Sequence, residues 1–180
     1  EYGDGAAAFI IGNLNEEGAI IEGFYNETSE FLDIWRLPFD RFPQDWEDRF
    51  IRDEGYMRLL SQTISGILKK YHLSPEDFDK VVYNGIDARS HQSIARKVKF
   101  DYKTQVQDPL YNTVGNTGAA SALMMLVAAL EETKGGERIL FANYGDGADA
   151  LILKVQKKIE RAKNYRGIKG FLKSKMMLSS

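Results

Sequence analysis

Cysteine is absent from all 180 residues, which excludes disulfide bridges, thiolate zinc sites and a cysteine nucleophile within them. Histidine occurs only twice, at His72 and His91, so histidine-based metal or catalytic centres have little to draw on. No apolar run approaches the ~20 residues needed to span a bilayer. A formal net charge of −2 offers no basic field for nucleic acid or an anionic membrane. Glycine-rich phosphate loops, zinc-ligand spacings and Ser-His-Asp patterns are also missing. The expectation is a protein with no nucleic-acid or membrane partner and no metal, located in the cytoplasm. What is present is core material: 43% apolar residues, enough for a packed globular domain of layered α/β type.

The most informative feature is a repeat. Tyr2-Gly3-Asp4-Gly5-Ala6 returns near the other end as Tyr144-Gly145-Asp146-Gly147-Ala148, each time leading into a mostly apolar run (Ala7–Ile11, and Ala150–Leu153 after Asp149). The separation is far too long for a solenoid and fits a fold of two similar halves, each closed by the same turn and strand. Gly3, Gly5, Gly145 and Gly147 then read as structural turn residues supplying positive φ. The first copy leaves no room for the rest of its half, so residues 1–25 are expected to be its closing hairpin, with strands at Ala6–Ile11 and Ala19–Tyr25. Residues 26–155 are expected to form the complete second half, and 156–180 a basic extension that packs on something else or stays partly disordered.

Within the second half, residues 30–55 form an irregular stretch rich in aromatics and in both signs of charge, the pattern of a solvated face or interface network. Apolar spacing predicts an amphipathic helix over Gly55–Tyr71. Ser74 and Pro75 open a short helical turn, Lys80–Tyr83 is a strand, and Asp87 caps a helix through Val98. Gly118–Glu131 is apolar nearly all round and therefore a buried helix. Arg138–Asn143 and Ala148–Val155 are the closing strands.

Two clusters can carry chemistry. Val114-Gly115-Asn116-Thr117-Gly118 stands where a loop enters the buried helix. Its small residues allow close approach of a ligand, and Asn116 offers an amide donor near a helix N-terminus that favours negative charge. The alternative is that Asn116 simply caps the helix, and on spacing alone that reading stands ahead. The second cluster, Asn84-Gly85-Ile86-Asp87-Ala88-Arg89-Ser90-His91, follows a strand, where α/β sheets bind ligands. His91 is a candidate acid–base group, but it shares a helical face with Ile94, Ala95 and Val98, which favours a packed core histidine.

These motifs, in this order, resemble the thiolase superfamily and its hydroxymethylglutaryl-CoA synthase-like branch. The Gly115-Asn116-Thr117 loop, the Tyr144–Ala148 turn with its partner at Tyr2–Ala8, and Asp33-Ile34-Trp35-Arg36-Leu37-Pro38 carry the resemblance over about residues 2–155. It implies a layered fold of two βαβαβαββ halves, with the carboxyl-terminal half here. It implies Claisen-type chemistry on acyl-CoA thioesters, with no covalently bound cofactor and the acylated cysteine in the other half. Asn116 would then serve the oxyanion or enolate site, with Gly115 and Gly118 against the substrate. Asn84 stands where the synthases carry a catalytic histidine and is carried over as a catalytic residue that can donate a hydrogen bond but cannot shuttle a proton, with His91 the candidate substitute. Arg89 matches a basic residue that binds CoA. The resemblance further implies a homodimer, the missing amino-terminal half as partner, and an OB-fold and zinc-ribbon acyl-CoA-binding partner docked through the basic tail. A non-catalytic subunit that binds CoA or scaffolds a partner is the alternative.

Overall fold

A computed structural model describes residues 3–13, 17–162 and 166–174. Tyr2, part of the expected hairpin loop (14–16) and part of the tail lie outside them. The strands are β1 (Ala19–Thr28), β2 (Ile34–Trp35), β3 (Gln44–Asp45), β4 (Lys80–Tyr83), β5 (Arg138–Tyr144) and β6 (Gly147–Val155). The helices are α1 (Asp48–Phe50), α2 (Arg58–Tyr71), α3 (Ala88–Val98), α4 (Ser121–Glu132), α5 (Ile159–Ala162) and α6 (Gly167–Lys173). The main sheet has the order β1-β6-β5-β4, with β4 parallel to β5 and the other pairs antiparallel.

Alternation along the strands divides the core into two layers. Val81, Tyr83, Leu140, Ala142, Ala150 and Ile152 meet α2 and α3 on one face. Val82, Ile139, Phe141, Leu153 and Val155 meet α4 on the other. This is the period-2 division expected of strands buried on both sides. The α2 residues Leu60, Ile64 and Ile67 are fully buried, as their spacing requires. The mixed α/β layers agree with the fold class read from sequence.

Several local expectations are corrected. Ala6–Ile11 is not a strand; Ile10 and Ile11 are exposed, and the segment pairs with nothing in the sheet. The expected hairpin partner is instead an edge strand, since Ala19–Thr28 pairs with β6. Along it the ladder slips between Ile21 and Gly23, a bulge at Glu22. There the Tyr71 ring packs where a Gly23 Cβ would stand. The Tyr71 hydroxyl accepts from the Phe24 N–H at 3.1 Å, and Lys70 donates to the Phe24 carbonyl at 3.0 Å. The helix expected from Gly55 starts earlier, with α1 passing through a π-helical segment, Ile51–Met57, into α2.

The repeat also behaves unequally. In the second copy positive φ falls on Asp146 (47°) and Gly147 (118°), and not on Gly145. In the first copy neither Gly3 nor Gly5 has positive φ, so the expectation of two identical turns fails. The tail is ordered where it is described: the Glu131 carboxylate accepts from the Ile168 N–H at 2.6 Å, and Glu132 pairs with Lys169 at 2.9 Å. No described helix is long and apolar enough to cross a membrane.

Candidate functional site

The loop entering α4 holds Asn116 between two glycines in left-handed conformations, Gly115 (φ 83°) and Gly118 (φ 59°). The Asn116 Oδ1 accepts from the Gly118 N–H at 2.9 Å. Because only an oxygen can accept that proton, the amide orientation is fixed and Nδ2 is turned away from it as a donor. This bond closes a local turn two residues on, ahead of the helical turn whose N-cap is Thr117, so the expected helix-cap role of Asn116 is corrected to a turn role that leaves Nδ2 free to donate. Space around the Cβ direction of Gly118 is open, leaving its backbone accessible.

Asn84 follows β4, and its amide is committed. Its Nδ2 donates to the Tyr144 carbonyl at 3.0 Å, and its Oδ1 accepts from the Tyr144 N–H at 2.8 Å. The side chain thus imitates one more peptide of β4 and lengthens the β4–β5 ladder by a rung. The Tyr56 hydroxyl donates to the Asn84 carbonyl at 2.9 Å, and the Tyr144 hydroxyl donates to Asp33 at 2.9 Å. Asp33, singled out in the Asp-Ile-Trp-Arg-Leu-Pro segment, therefore braces the same strand end from the far side. An amide occupied in this way is a clasp, which corrects the expectation of a free catalytic donor at Asn84.

His91 has no exposed surface. Its ring lies 4.3 Å from that of Tyr83 and 5.9 Å from that of Tyr102, centroid to centroid. Its Nε2 is 3.2 Å from the Tyr83 carbonyl, which can only accept, so Nε2 carries the proton. Burial lowers its pKa to about 4, against the pull of the Tyr83 carbonyl and the Asp108 and Asp87 charges. A group sealed from solvent and neutral at working pH cannot exchange protons with a substrate, so of the two readings of His91 the packed histidine holds and the candidate acid–base role falls. The unfolded imidazole binds a proton below a pH of about 6.5, the folded one only below about 4. His91 therefore leaves stability untouched above the upper value and lowers it as pH falls between the two, by at most about 1.4 kcal/mol per pH unit. Denaturant midpoints of the parent and His91→Phe should converge or cross over that window as the parent weakens. A pH-independent difference would remove the assignment.

Arg89 opens α3, whose Asp87 cap accepts from the Ser90 N–H at 2.8 Å. It lines a cavity of about 610 Å³ together with Arg49, Arg52, Asp53, Asp87 and Ser93. Arg52 is paired with Asp53 at 2.8 Å, while Arg49 and Arg89 have no ion pair among the described residues. Sequence reasoning missed Arg49 and Arg52, because it took their mixed-sign stretch for a solvated face. No spacing in the sequence signals that they share this cavity with Arg89.

Comparison with known proteins bears on this arrangement. The family model of the 3-oxoacyl-[acyl-carrier-protein] synthase III C-terminal domain matches residues 68–155. Hydroxymethylglutaryl-CoA synthase of Aeropyrum pernix is 35% identical over 162 residues, 88% of this chain and 44% of that protein. The Methanopyrus kandleri synthase is 32% identical over 161 residues, 88% of this chain and 45% of that protein. The chain thus spans less than half the length of these curated relatives. A solved HMG-CoA synthase complexed with CoA superposes with a TM-score of 0.70 at 16% identity, covering 87% of this chain and 44% of that one. The 3-oxoacyl-[acyl-carrier-protein] synthase III of Aquifex aeolicus gives 0.66 at 20% identity, covering 78% and 46%. Sequence and fold agree: the chain is similar to the carboxyl-terminal portion of hydroxymethylglutaryl-CoA synthases and has a thiolase-like fold.

Proposed function

We propose that this chain supplies the carboxyl-terminal half of an active site that condenses or cleaves acyl-CoA thioesters by Claisen-type chemistry. The observation that carries the reading is the cavity beyond the carboxyl end of β4, where Arg49, Arg52 and Arg89 converge. Two guanidiniums without ion pairs, in a space of about 610 Å³, suit the phosphates of coenzyme A. Asn116 then serves the reacting end, its Nδ2 donating to the enolate or thioester oxygen as negative charge develops, while Gly115 and Gly118 let the thioester approach. The nucleophile comes from the amino-terminal half. The same reading includes a cytoplasmic enzyme, a second copy of the chain as dimer partner, and an OB-fold and zinc-ribbon acyl-CoA-binding protein as a further partner.

The test is steady-state kinetics of the enzyme that contains this chain. Arg89→Ala should raise KM for the acyl-CoA about tenfold or more, the worth of one charge-assisted contact, with kcat nearly unchanged. An unchanged KM would sink the phosphate assignment. The commitment of Asn84 to Tyr144 favours a second reading, a CoA-binding subunit without turnover. That subunit would show the same Arg89 dependence in CoA titrations but no activity for Asn116 to influence.

A further inference from the structure

The first copy of the repeat has no part in the function described so far, yet it lies directly on the loop that carries Asn116. The Gly3 N–H donates to the Asn116 carbonyl at 2.9 Å. A Cβ placed on Gly3 would overlap the Val114 carbonyl, and one on Gly5 would press on the Met124 sulfur and lie 2.8 Å from the Thr117 methyl. The second copy offers the contrast within the same molecule. Gly145 faces open space, and Gly147 is needed for its φ of 118° and for the approach of the Glu27 carbonyl. Identical motifs thus retain glycine for different reasons: a turn in the second copy, and close backbone approach in the first.

From this contact we infer that Gly3 and Gly5 are positioning residues: the segment is a wedge that fixes the peptide of Asn116 and so aims its side-chain amide. Asn116 is then held at two points, its carbonyl by Gly3 and its Oδ1 by the Gly118 N–H. With the carbonyl released, the peptide is free to rotate, and Nδ2 turns with it. Seating a methyl group at Gly3 requires the segment or the loop to shift by an ångström or more. Shifts of about 1 Å at a catalytic group can cost about 10²-fold in rate. The catalytic consequence rests on the oxyanion reading of Asn116, whereas the wedge itself does not.

The experiment uses the enzyme containing this chain and compares Gly3→Ala, the milder Gly5→Ala and the control Gly145→Ala. Gly5→Ala meets side-chain ends that can move, so it keeps the test alive if Gly3→Ala does not fold. Two readouts are taken: amide hydrogen exchange of a peptide spanning 114–120, and kcat and KM separately. Gly3→Ala should speed exchange in that peptide about tenfold or more and lower kcat about 10²-fold, with KM within about twofold of the parent. Gly5→Ala should move both in the same direction by less, and Gly145→Ala should leave the exchange of 114–120 unchanged. Unchanged exchange in folded Gly3→Ala and Gly5→Ala, or equally faster exchange in Gly145→Ala, overturns the wedge. Faster exchange with intact kcat supports the wedge and overturns the oxyanion role of Asn116, so the two failures are separable.

Discussion

Asn116→Ala should lower turnover by about 10²–10³-fold, the usual loss when one oxyanion donor is removed. Alanine also removes the side-chain acceptor of the Gly118 N–H, so loss of activity alone would not identify the donor. Asn116→Asp separates the two roles, because an Asp side chain closes the same local turn, accepting from the N–H two residues on, as Asn does. Its carboxylate would keep the bond to Gly118 but would offer no proton to a substrate oxygen. Asn116→Asp is therefore expected to hold its thermal midpoint while losing at least as much turnover as Asn116→Ala. Retained turnover in Asn116→Asp would remove the donor role and leave a structural turn.

Asn84→Ala should cost about 2–4 kcal/mol of folding stability, read as a shift in denaturant midpoint. Truncation leaves both the N–H and the carbonyl of Tyr144 without partners, and each orphaned group costs about 1–3 kcal/mol when shielded from water. The site is half-buried, so water recovers part of the sum. Asn84→Gln carries the same amide on a longer stem and should restore part of the loss. Asn84→His should not, because an imidazole cannot present a donor and an acceptor side by side to the N–H and C=O of one residue. A midpoint unchanged in Asn84→Ala would show that the clasp contributes nothing, and would reopen Asn84 as a free donor.

The fold was legible where local chemistry and burial agreed. Asp87 and Ser74 announced their helical turns; the Asp87 side chain caps α3, and at Ser74 the Asp77 carboxylate accepts from the Ser74 N–H and hydroxyl. The all-round apolar α4 signalled burial, and Met125 and Ala129 are fully enclosed. Ala6–Ile11 misled because an apolar run states a tendency and does not name a pairing partner. The π-helical start of α2 was missed because periodicity over Ile51–Met57 is judged against an α repeat. Asn116 was singled out from its place at a helix entrance, but its amide direction needed the Gly118 contact. His91 was read correctly from the company of Ile94, Ala95 and Val98. Arg49 and Arg52 were not, since no linear spacing reveals that they face Arg89. Gly3 and Gly145 stand in the same motif and received the same reading; only the crowding at one and the open space at the other distinguish them.

The outer edge of β1 has a consequence for the behaviour of the molecule in concentrated solution. A ten-residue edge strand carrying exposed Ile20, Ile21 and Phe24 is the kind of template on which chains stack into aggregates. Here both main-chain groups of Phe24 are already taken by Tyr71 and Lys70, and the bulge at Glu22 breaks the flat row just before them. An incoming strand would find its run interrupted at the middle and would meet a lysine charge at that point. The edge is blunted against fibril-like growth while its apolar side chains stay exposed.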